Sequence, residues 1–207
     1  PVVLSTNLIE ATWDTGAYVQ TSGVLKRIAV KLSKICNDLR LLSSGPRTGI
    51  NEINLPRLQP GSSIMPGKVN PVIPEVVSQV AFDIIGKDVT ITMAAEAGQL
   101  ELNVMEPIIA FSLSNGIHRL RQAMRTLQDR CVSGITANKE RCRSMVENSI
   151  GIITALNPYL GYETSASIAK EALETGGSVI DIVLARNLLS REKLDDILAP
   201  EHMINRK

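Results

Sequence analysis

The residue types best suited to chemistry stand together at 61–71, in the run GSSIMPGKVNP. Ser62 and Ser63 supply two hydroxyl groups, Lys68 an ammonium group and Asn70 a carboxamide, and all of these can donate hydrogen bonds to an anion. This set predicts a site for a small molecule that carries a carboxylate. A Gly/Pro-rich turn with a solvated lysine explains the same residues without any site, so the pattern alone leaves both readings open.

The backbone of this run is restricted in two opposite ways. Its prolines cannot donate amide hydrogen bonds, whereas its glycines can leave the usual allowed regions. The remaining amides can be directed at an anion, and a helix predicted to begin at Pro71 brings its positive N-terminal end close to them. We expect a loop with defined open and closed forms. Its predicted flexible residues are Gly61, Ile64, Met65, Pro66 and Gly67.

The run differs from a phosphate-binding loop of the G-x-x-x-x-G-K-[ST] type. Five residues rather than four separate Gly61 from Gly67, and Val69 stands where a hydroxyl side chain would bind magnesium. No strand is predicted before the loop, although the phosphate-binding motif requires one. Nucleotide binding is therefore not expected.

Long helices must position this loop. Apolar residues recur with a mean spacing of about 3.6 residues in two segments, and a third segment between them carries neighbouring apolar pairs at helical intervals. Together they predict three long helices with apolar stripes that pack against other elements. The middle helix is apolar around much of its circumference at 72–91, which favours burial in an oligomer. A short extended piece is expected at 50–55. The predicted stripes are Val24, Ile28, Leu32, Ile35, Leu39 and Leu42; Ile73, Val76, Val77, Val80, Ile84 and Ile85; and Ile109, Leu113, Ile117, Leu120, Met124 and Leu127.

Shorter helices are predicted after Gly134, and the fold class is all-α. Gly176 and Gly177 are C-terminal stops, and Ser190 is a predicted N-cap. We place a central helix-bundle segment at 1–132, which includes the loop, and a small helical domain at 133–207.

Composition excludes several classes of partner and site. Twenty-two basic against 21 acidic residues give a net charge of +1 over 207 residues, with no basic stripe, so nucleic acid is not expected. Three widely spaced cysteines and two distant histidines suggest neither disulfides nor a metal site, and no cofactor is expected. No apolar run approaches the roughly 20 residues of a membrane span. The expectation is free thiols in a reducing cytoplasm.

The run GSSIMPGKVNP resembles the signature loop of the fumarase/aspartase superfamily, whose members eliminate across a carbon–carbon bond to release fumarate. The resemblance covers essentially the whole chain, through SGPRTGINEINLP at 44–56, LNPYLGYE at 156–163 and LDDIL at 194–198. PVIPE at 71–75 and MAAEAGQLELNVMEP at 93–107 are similar to the aspartate ammonia-lyase branch rather than to fumarases. We expect the chain to be the C-terminal part of such an enzyme.

The resemblance implies a role for each residue of the run. Ser62 matches the general base that removes the C3 proton of L-aspartate and forms an aci-carboxylate intermediate. Ser63, Lys68 and Asn70 match substrate-binding residues. Glu75 resembles a carboxylate that partners a histidine, although a glutamate in a first helical turn is also favoured by the helix dipole alone. Arg47, Glu101, His118 and His202 are not assigned to the site.

The resemblance also implies a homotetramer whose active sites are shared between subunits, in the cytoplasm, with L-aspartate and fumarate as ligands. Two further segments of each active site have no counterpart in these 207 residues. The isolated piece is therefore expected to be inactive. The alternatives are a fumarate hydratase, or a helical oligomerisation fragment with no activity.

Overall fold

The computed structural model describes residues 3–59, 64–65, 69–199 and 202. The chain divides into two compact units, Pro1–Ala137 and Asn138–Lys207. The division predicted from the sequence, at 132/133, stays a prediction. The described residues are mainly helical, as predicted, with one small two-stranded sheet.

Three long helices form the body of the first unit. They are α1 at Gly16–Leu42, α2 at Val72–Glu96 and α3 at Glu106–Arg130. The middle helix, α2, packs extensively against both neighbours, whereas α1 and α3 touch at few positions. The three helices were each predicted from their apolar periodicity, and α2 carries the residues that follow the candidate loop.

The inner face of α1 differs from the predicted stripe. Val24 and Ile35 are each 46% exposed, whereas Ser22, Ala29 and Cys36 are buried. These buried side chains recur every seven residues and are small, so the backbone of α1 can approach α2 closely. The prediction counted only large apolar residues, so it placed the buried face of α1 part of a helical turn away from its actual position.

A buried polar contact also joins α1 to α2. The Asp88 carboxylate accepts a 2.8 Å hydrogen bond from the Ser22 hydroxyl and a 2.7 Å hydrogen bond from the Lys26 ammonium group. Asp88 is only 7% exposed. Because all the acceptor atoms of this carboxylate have a charged or polar partner, its burial is compensated.

The turn between α2 and α3 is organised by one buried side chain, Asn103. Its Nδ2 donates to the carbonyl oxygens of Ala94 and Ala95 at 3.0 and 3.2 Å, and its Oδ1 accepts from the Met105 amide at 2.8 Å. It therefore satisfies carbonyls that the end of α2 leaves without intrahelical partners and fixes the start of α3. This turn contains the segment 98–104 of the motif MAAEAGQLELNVMEP.

The small sheet pairs two segments that are far apart in the sequence. Strand β1 is Ile53–Asn54, and it runs antiparallel to strand β2, Thr136–Ala137. The extended piece predicted at 50–55 is thereby confirmed at its centre, whereas Asn51, with φ of 54°, lies in the left-handed region. Its partner strand was not predicted, because two residues carry no period-two pattern.

The described residues of the second unit form five α-helices. They are α4 at Lys139–Glu147, α5 at Ile153–Leu160, α6 at Tyr162–Thr175, α7 at Val179–Ala185 and α8 at Arg191–Ile197. Their core is formed mainly by Leu156, Ile168, Val183 and Leu194, which are fully buried. As predicted, Gly176 ends α6 in the left-handed region, with φ of 69°.

The predicted N-cap of α8 offers a stability test. The Ser190 hydroxyl accepts a 3.2 Å hydrogen bond from the Lys193 amide, which confirms the cap. We expect Ser190→Ala to lower the free energy of unfolding by about 1 kcal/mol, because an orphan amide of the first turn loses its acceptor. Urea unfolding followed by circular dichroism measures the change. Ser190→Asp is the control and should retain most of the stability; equal losses in both variants would contradict the capping role.

None of the helices that the structure describes is both long enough and apolar enough to span a membrane.

Candidate functional site

The candidate loop is described only in part. Ser62 and Ser63, Lys68, and the loop residues Gly61, Pro66 and Gly67 lie outside the described residues, so their assignments remain predictions. Ile64 and Met65, at the middle of the run, are described and are 87% and 51% exposed. An isoleucine so exposed contributes nothing to the core of the first unit.

The far end of the loop is fixed by the start of α2. The Asn70 carbonyl accepts a 2.9 Å hydrogen bond from the Val72 amide, and the Pro71 carbonyl accepts a 3.1 Å bond from the Glu75 amide. Pro71 is the N-cap residue of α2, as the sequence predicted for the helix start. Asn70 therefore stands immediately before the N-terminal end of a 25-residue helix, where the peptide dipoles favour a bound anion.

Glu75 lies in the first turn of α2 and is half-buried. Its carbonyl oxygen accepts a 3.4 Å bond from the Gln79 side chain, and its carboxylate stands on the same helical end as Asn70. This position fits both readings offered by the sequence, a supporting carboxylate of the site and a favourable first-turn charge.

The near end of the loop begins from a compact segment at 44–52. The Ser44 hydroxyl donates to the Leu41 carbonyl at 2.6 Å and accepts from the Ile50 amide at 3.1 Å. The Glu52 amide donates to the Leu42 carbonyl at 2.9 Å. A side chain at Gly49 would come within 2.5 Å of the backbone of the Ser44–Gly45 turn, so only glycine fits there.

The next residues, 53–56, are held against the segment 134–137. Besides the pairing of β1 with β2, the Asn54 Nδ2 donates to the Thr136 hydroxyl at 3.2 Å. A Cβ atom at Gly134 would lie 2.6 Å from the Cγ atom of Pro56. These contacts bring the chain to the start of the loop along a defined path. These contacts were not predicted from the sequence, in which Gly134 was the only residue that could have indicated them.

Four other polar residues to which the sequence drew attention, and which it left outside the site, are among the described residues. Arg47 is exposed in the segment 44–52, and Glu101 is exposed in the α2–α3 turn, where its carbonyl accepts from the Thr12 hydroxyl. His118 lies on the solvent side of α3, beside a groove that includes Val76. In the second unit, Nδ1 of His202 approaches the Asp196 carbonyl at 2.6 Å. Leaving these four residues outside the site stays a prediction.

Two buried thiols can be excluded as nucleophiles on physical grounds. Cys36 and Cys131 belong to one apolar cluster between the helices and are at most 1% exposed. Burial raises the pKa of Cys36 to about 11, with a smaller contribution from Cys131, and burial raises the pKa of the Cys131 thiol as well. Because the thiolate is the reactive form, both side chains serve packing.

Models of two known protein families match this chain. A lyase family model matches residues 1–86, and a fumarase C C-terminus model matches residues 152–205. Aspartate ammonia-lyase of Helicobacter pylori is 64% identical over 205 residues, which is 99% of this chain and 44% of that protein. The chain belongs to the fumarase/aspartase superfamily. The superfamily resemblance read from the run at 61–71 is thus confirmed.

Two solved structures of the superfamily share the fold of the chain. The fumarate lyase:delta crystallin of Brucella melitensis matches with a TM-score of 0.93 and 55% identity. The match covers 99% of this chain and 44% of the Brucella chain. A class II fumarase of Schistosoma mansoni matches with a TM-score of 0.87 and 39% identity, over 96% of this chain and 42% of the fumarase chain. The chain therefore spans less than half the length of these superfamily members.

Proposed function

We propose that the full-length protein containing this chain is an aspartate ammonia-lyase, which converts L-aspartate to fumarate and ammonia. The observation that supports this best is the graded similarity within the superfamily. Identity is 64% to an aspartate ammonia-lyase and 39% to a class II fumarase, each over nearly the whole chain. The class II fumarase shares the fold of this chain, so the distinction between the two activities rests on the side chains.

In the proposed reaction, the oxygen of Ser62 removes a proton from C3 of L-aspartate. The electron pair of that C–H bond first passes into the adjacent carboxylate, which becomes an aci-carboxylate with two negative charges. The pair then forms the C2–C3 double bond while the C2–N bond breaks, and the nitrogen leaves as ammonia. The products are therefore fumarate, ammonia and the proton that Ser62 has taken up.

Positive charge and donors near the aci-carboxylate decide the rate of such a reaction. The proton next to a carboxylate is very weakly acidic, so groups that stabilise the developing charge lower the barrier more than groups that bind substrate and transition state equally. Lys68 and Asn70 have this role in the proposal, and Ser63 contacts the substrate. The start of α2 supports it, because Asn70 lies directly before the helix N-terminus.

Serine is a weak base in water, so its environment must lower the free energy of the alkoxide. In our proposal Lys68, the amides of the loop and the N-terminal end of α2 supply this stabilisation in a site closed to water. Glu75 supports the site from the first turn of α2. Loop closure over the substrate belongs to the same mechanism.

The assembly is proposed as a cytoplasmic homotetramer with active sites shared between subunits. Several large apolar side chains on the long helices are exposed in the single chain, which supports their burial by other subunits. They include Phe82, Val89, Met93 and Phe111, with exposed fractions of 57 to 67%. The 207-residue chain alone is expected to be inactive.

The reaction is tested by ultraviolet absorbance of fumarate, with L-aspartate and L-malate offered separately. We expect the full-length protein to form fumarate from L-aspartate and not from L-malate, and the 207-residue chain to form none from either. Fumarate from L-malate alone would assign the protein as a fumarate hydratase. No product from either substrate with the full-length protein would favour a helical oligomerisation role without activity.

A further inference from the structure

Four residues that lead into the candidate loop, Ile53 to Pro56, are held by a segment more than 75 residues away in the sequence. We call these four residues the arm, and residues 134–137 the clamp. The register of the two strands places Ile53 opposite Ala137 and Asn54 opposite Thr136. Leu55, the third residue of the arm, packs against the buried cluster that includes Cys131. The clamp begins just after that cysteine.

The arm and the clamp depend on side-chain contacts as well as on strand pairing. Two paired residues on each side make a marginal sheet, so further contacts must hold it. The Asn54 Nδ2 donates to the Thr136 hydroxyl at 3.2 Å. The Pro56 ring lies over Gly134 so closely that a Cβ there would be 2.6 Å from its Cγ. A proline ring is bonded to the backbone at both ends and cannot turn away as a flexible side chain can, so a larger residue at 134 must push the arm and the clamp apart.

The arm is followed by residues 57–59, which are the last described residues before Ser62. Only five residues stand between Pro56 and Ser62 in the sequence. On the other side of the loop, Asn70 is fixed to the start of α2 by the bond between its carbonyl and the Val72 amide. The segment that carries the proposed catalytic residues is therefore anchored at both ends, by the arm before it and by Asn70 after it.

We propose that Gly134 and Thr136 are positioning residues for the elimination reaction, because they hold the arm from which the catalytic run starts. Neither residue touches the substrate in this proposal. The proposal rests on the function proposed above, since Ser62 must be the base for its placement to matter. A displacement of about 1 Å in a reacting group can lower a rate by about 100-fold.

The first test compares Gly134→Ala with Gly98→Ala in the full-length protein. A Cβ at Gly98, also in a turn, would meet atoms no closer than 3.5 Å, so this matched variant should be tolerated. For Gly134→Ala we expect kcat to fall about 10- to 100-fold while KM changes less than about threefold. Gly98→Ala should keep kcat. Thermal unfolding of both variants separates a displaced arm from a protein that has lost its fold.

A second pair of variants tests the clamp without a steric clash. Thr136→Val keeps the shape of the side chain but removes the acceptor of the Asn54 bond, and Thr136→Ser keeps the hydroxyl group. We expect kcat to fall about threefold to tenfold in Thr136→Val, in line with the loss of one hydrogen bond, and to recover in Thr136→Ser. Hydrogen exchange of the amides at 53–59 should be faster in Thr136→Val than in Thr136→Ser.

Two results would overturn the proposal, and both differ from a failure of the proposed function. Wild-type kcat in folded Gly134→Ala would show that the arm does not position the base. Equal kcat in the two Thr136 variants, with unchanged hydrogen exchange, would show the same by an independent route. If the wild-type full-length protein formed no fumarate from L-aspartate, the proposed function itself would fail, while hydrogen exchange would still report whether the clamp holds the arm.

Discussion

Replacing Ser62 with alanine is expected to lower kcat for fumarate formation by about 10²- to 10⁴-fold, the usual contribution of a general base. The KM for L-aspartate should change little, because Ser63, Lys68 and Asn70 bind the substrate in this proposal. A loss of kcat without a loss of binding is the signature of an interaction made only in the transition state. The measurement is steady-state absorbance of fumarate with the full-length protein.

The control for this variant is Ser114→Ala, at an exposed serine of α3. This variant should retain full activity. Binding of fumarate to folded Ser62→Ala, followed by calorimetry, shows that the site survives the substitution. Normal turnover by Ser62→Ala would contradict the proposed base and would move the search to other residues of the run at 61–71.

The sequence predicts the long helices because their signal is strong and local. In α2 the apolar positions Val77, Ala81 and Ile84 repeat with helical spacing and are buried. Gly176 and Ser190 mark helix ends through the chemistry of single residues, a left-handed backbone in one case and a hydroxyl acceptor in the other. Signals of this kind need no knowledge of what packs nearby.

Other elements depend on contacts that the sequence does not encode locally. Strand β2 exists because Thr136 and Ala137 meet β1, and two residues alone have no strand pattern. Helix α5 contains Pro158, which favours a break in any local interpretation of the sequence. The fully buried Leu156 shows that tertiary packing overrides this preference.

The same distinction between local signals and distant contacts applies to the candidate site. The residue types at 61–71 indicate anion chemistry, and the superfamily resemblance assigns roles to them, because both are properties of a contiguous run. The arm and the clamp could not be found in this way. They depend on Gly134 lying against Pro56 and on Thr136 lying opposite Asn54, which are contacts between distant parts of the chain.

The largest stability effect that we expect in the first unit comes from Asp88. Replacing it with alanine leaves the buried Ser22 hydroxyl without its acceptor and Lys26 without its counter-charge. We expect the free energy of unfolding to fall by roughly 2–3 kcal/mol, since an unsatisfied buried donor costs its full desolvation penalty. Urea unfolding measures this. Asp38→Ala is the matched control, because its pair with Lys34 is exposed on one helix and should be worth less than about 1 kcal/mol.

The same group gives a pH dependence of defined sign. Burial, the largest single influence, raises the pKa of Asp88, but the hydrogen bonds from Lys26 and Ser22 and the Lys26 charge together hold it below its usual value. The pKa of the unfolded chain, about 3.9, is therefore higher than that of the folded protein. The unfolded state binds the proton more readily, so the contribution of Asp88 is complete above the unfolded pKa and is lost as the pH falls through the folded one.

The Asp88→Asn variant isolates this contribution. Its amide keeps the volume and can still accept from Ser22, but it cannot titrate or pair with the charge of Lys26. The difference in unfolding free energy between wild type and Asp88→Asn should stay constant from neutral pH down to about pH 5 and shrink below the unfolded pKa. A difference that grows as the pH falls would mean that the folded pKa of Asp88 is raised, and that burial outweighs its two hydrogen-bond donors.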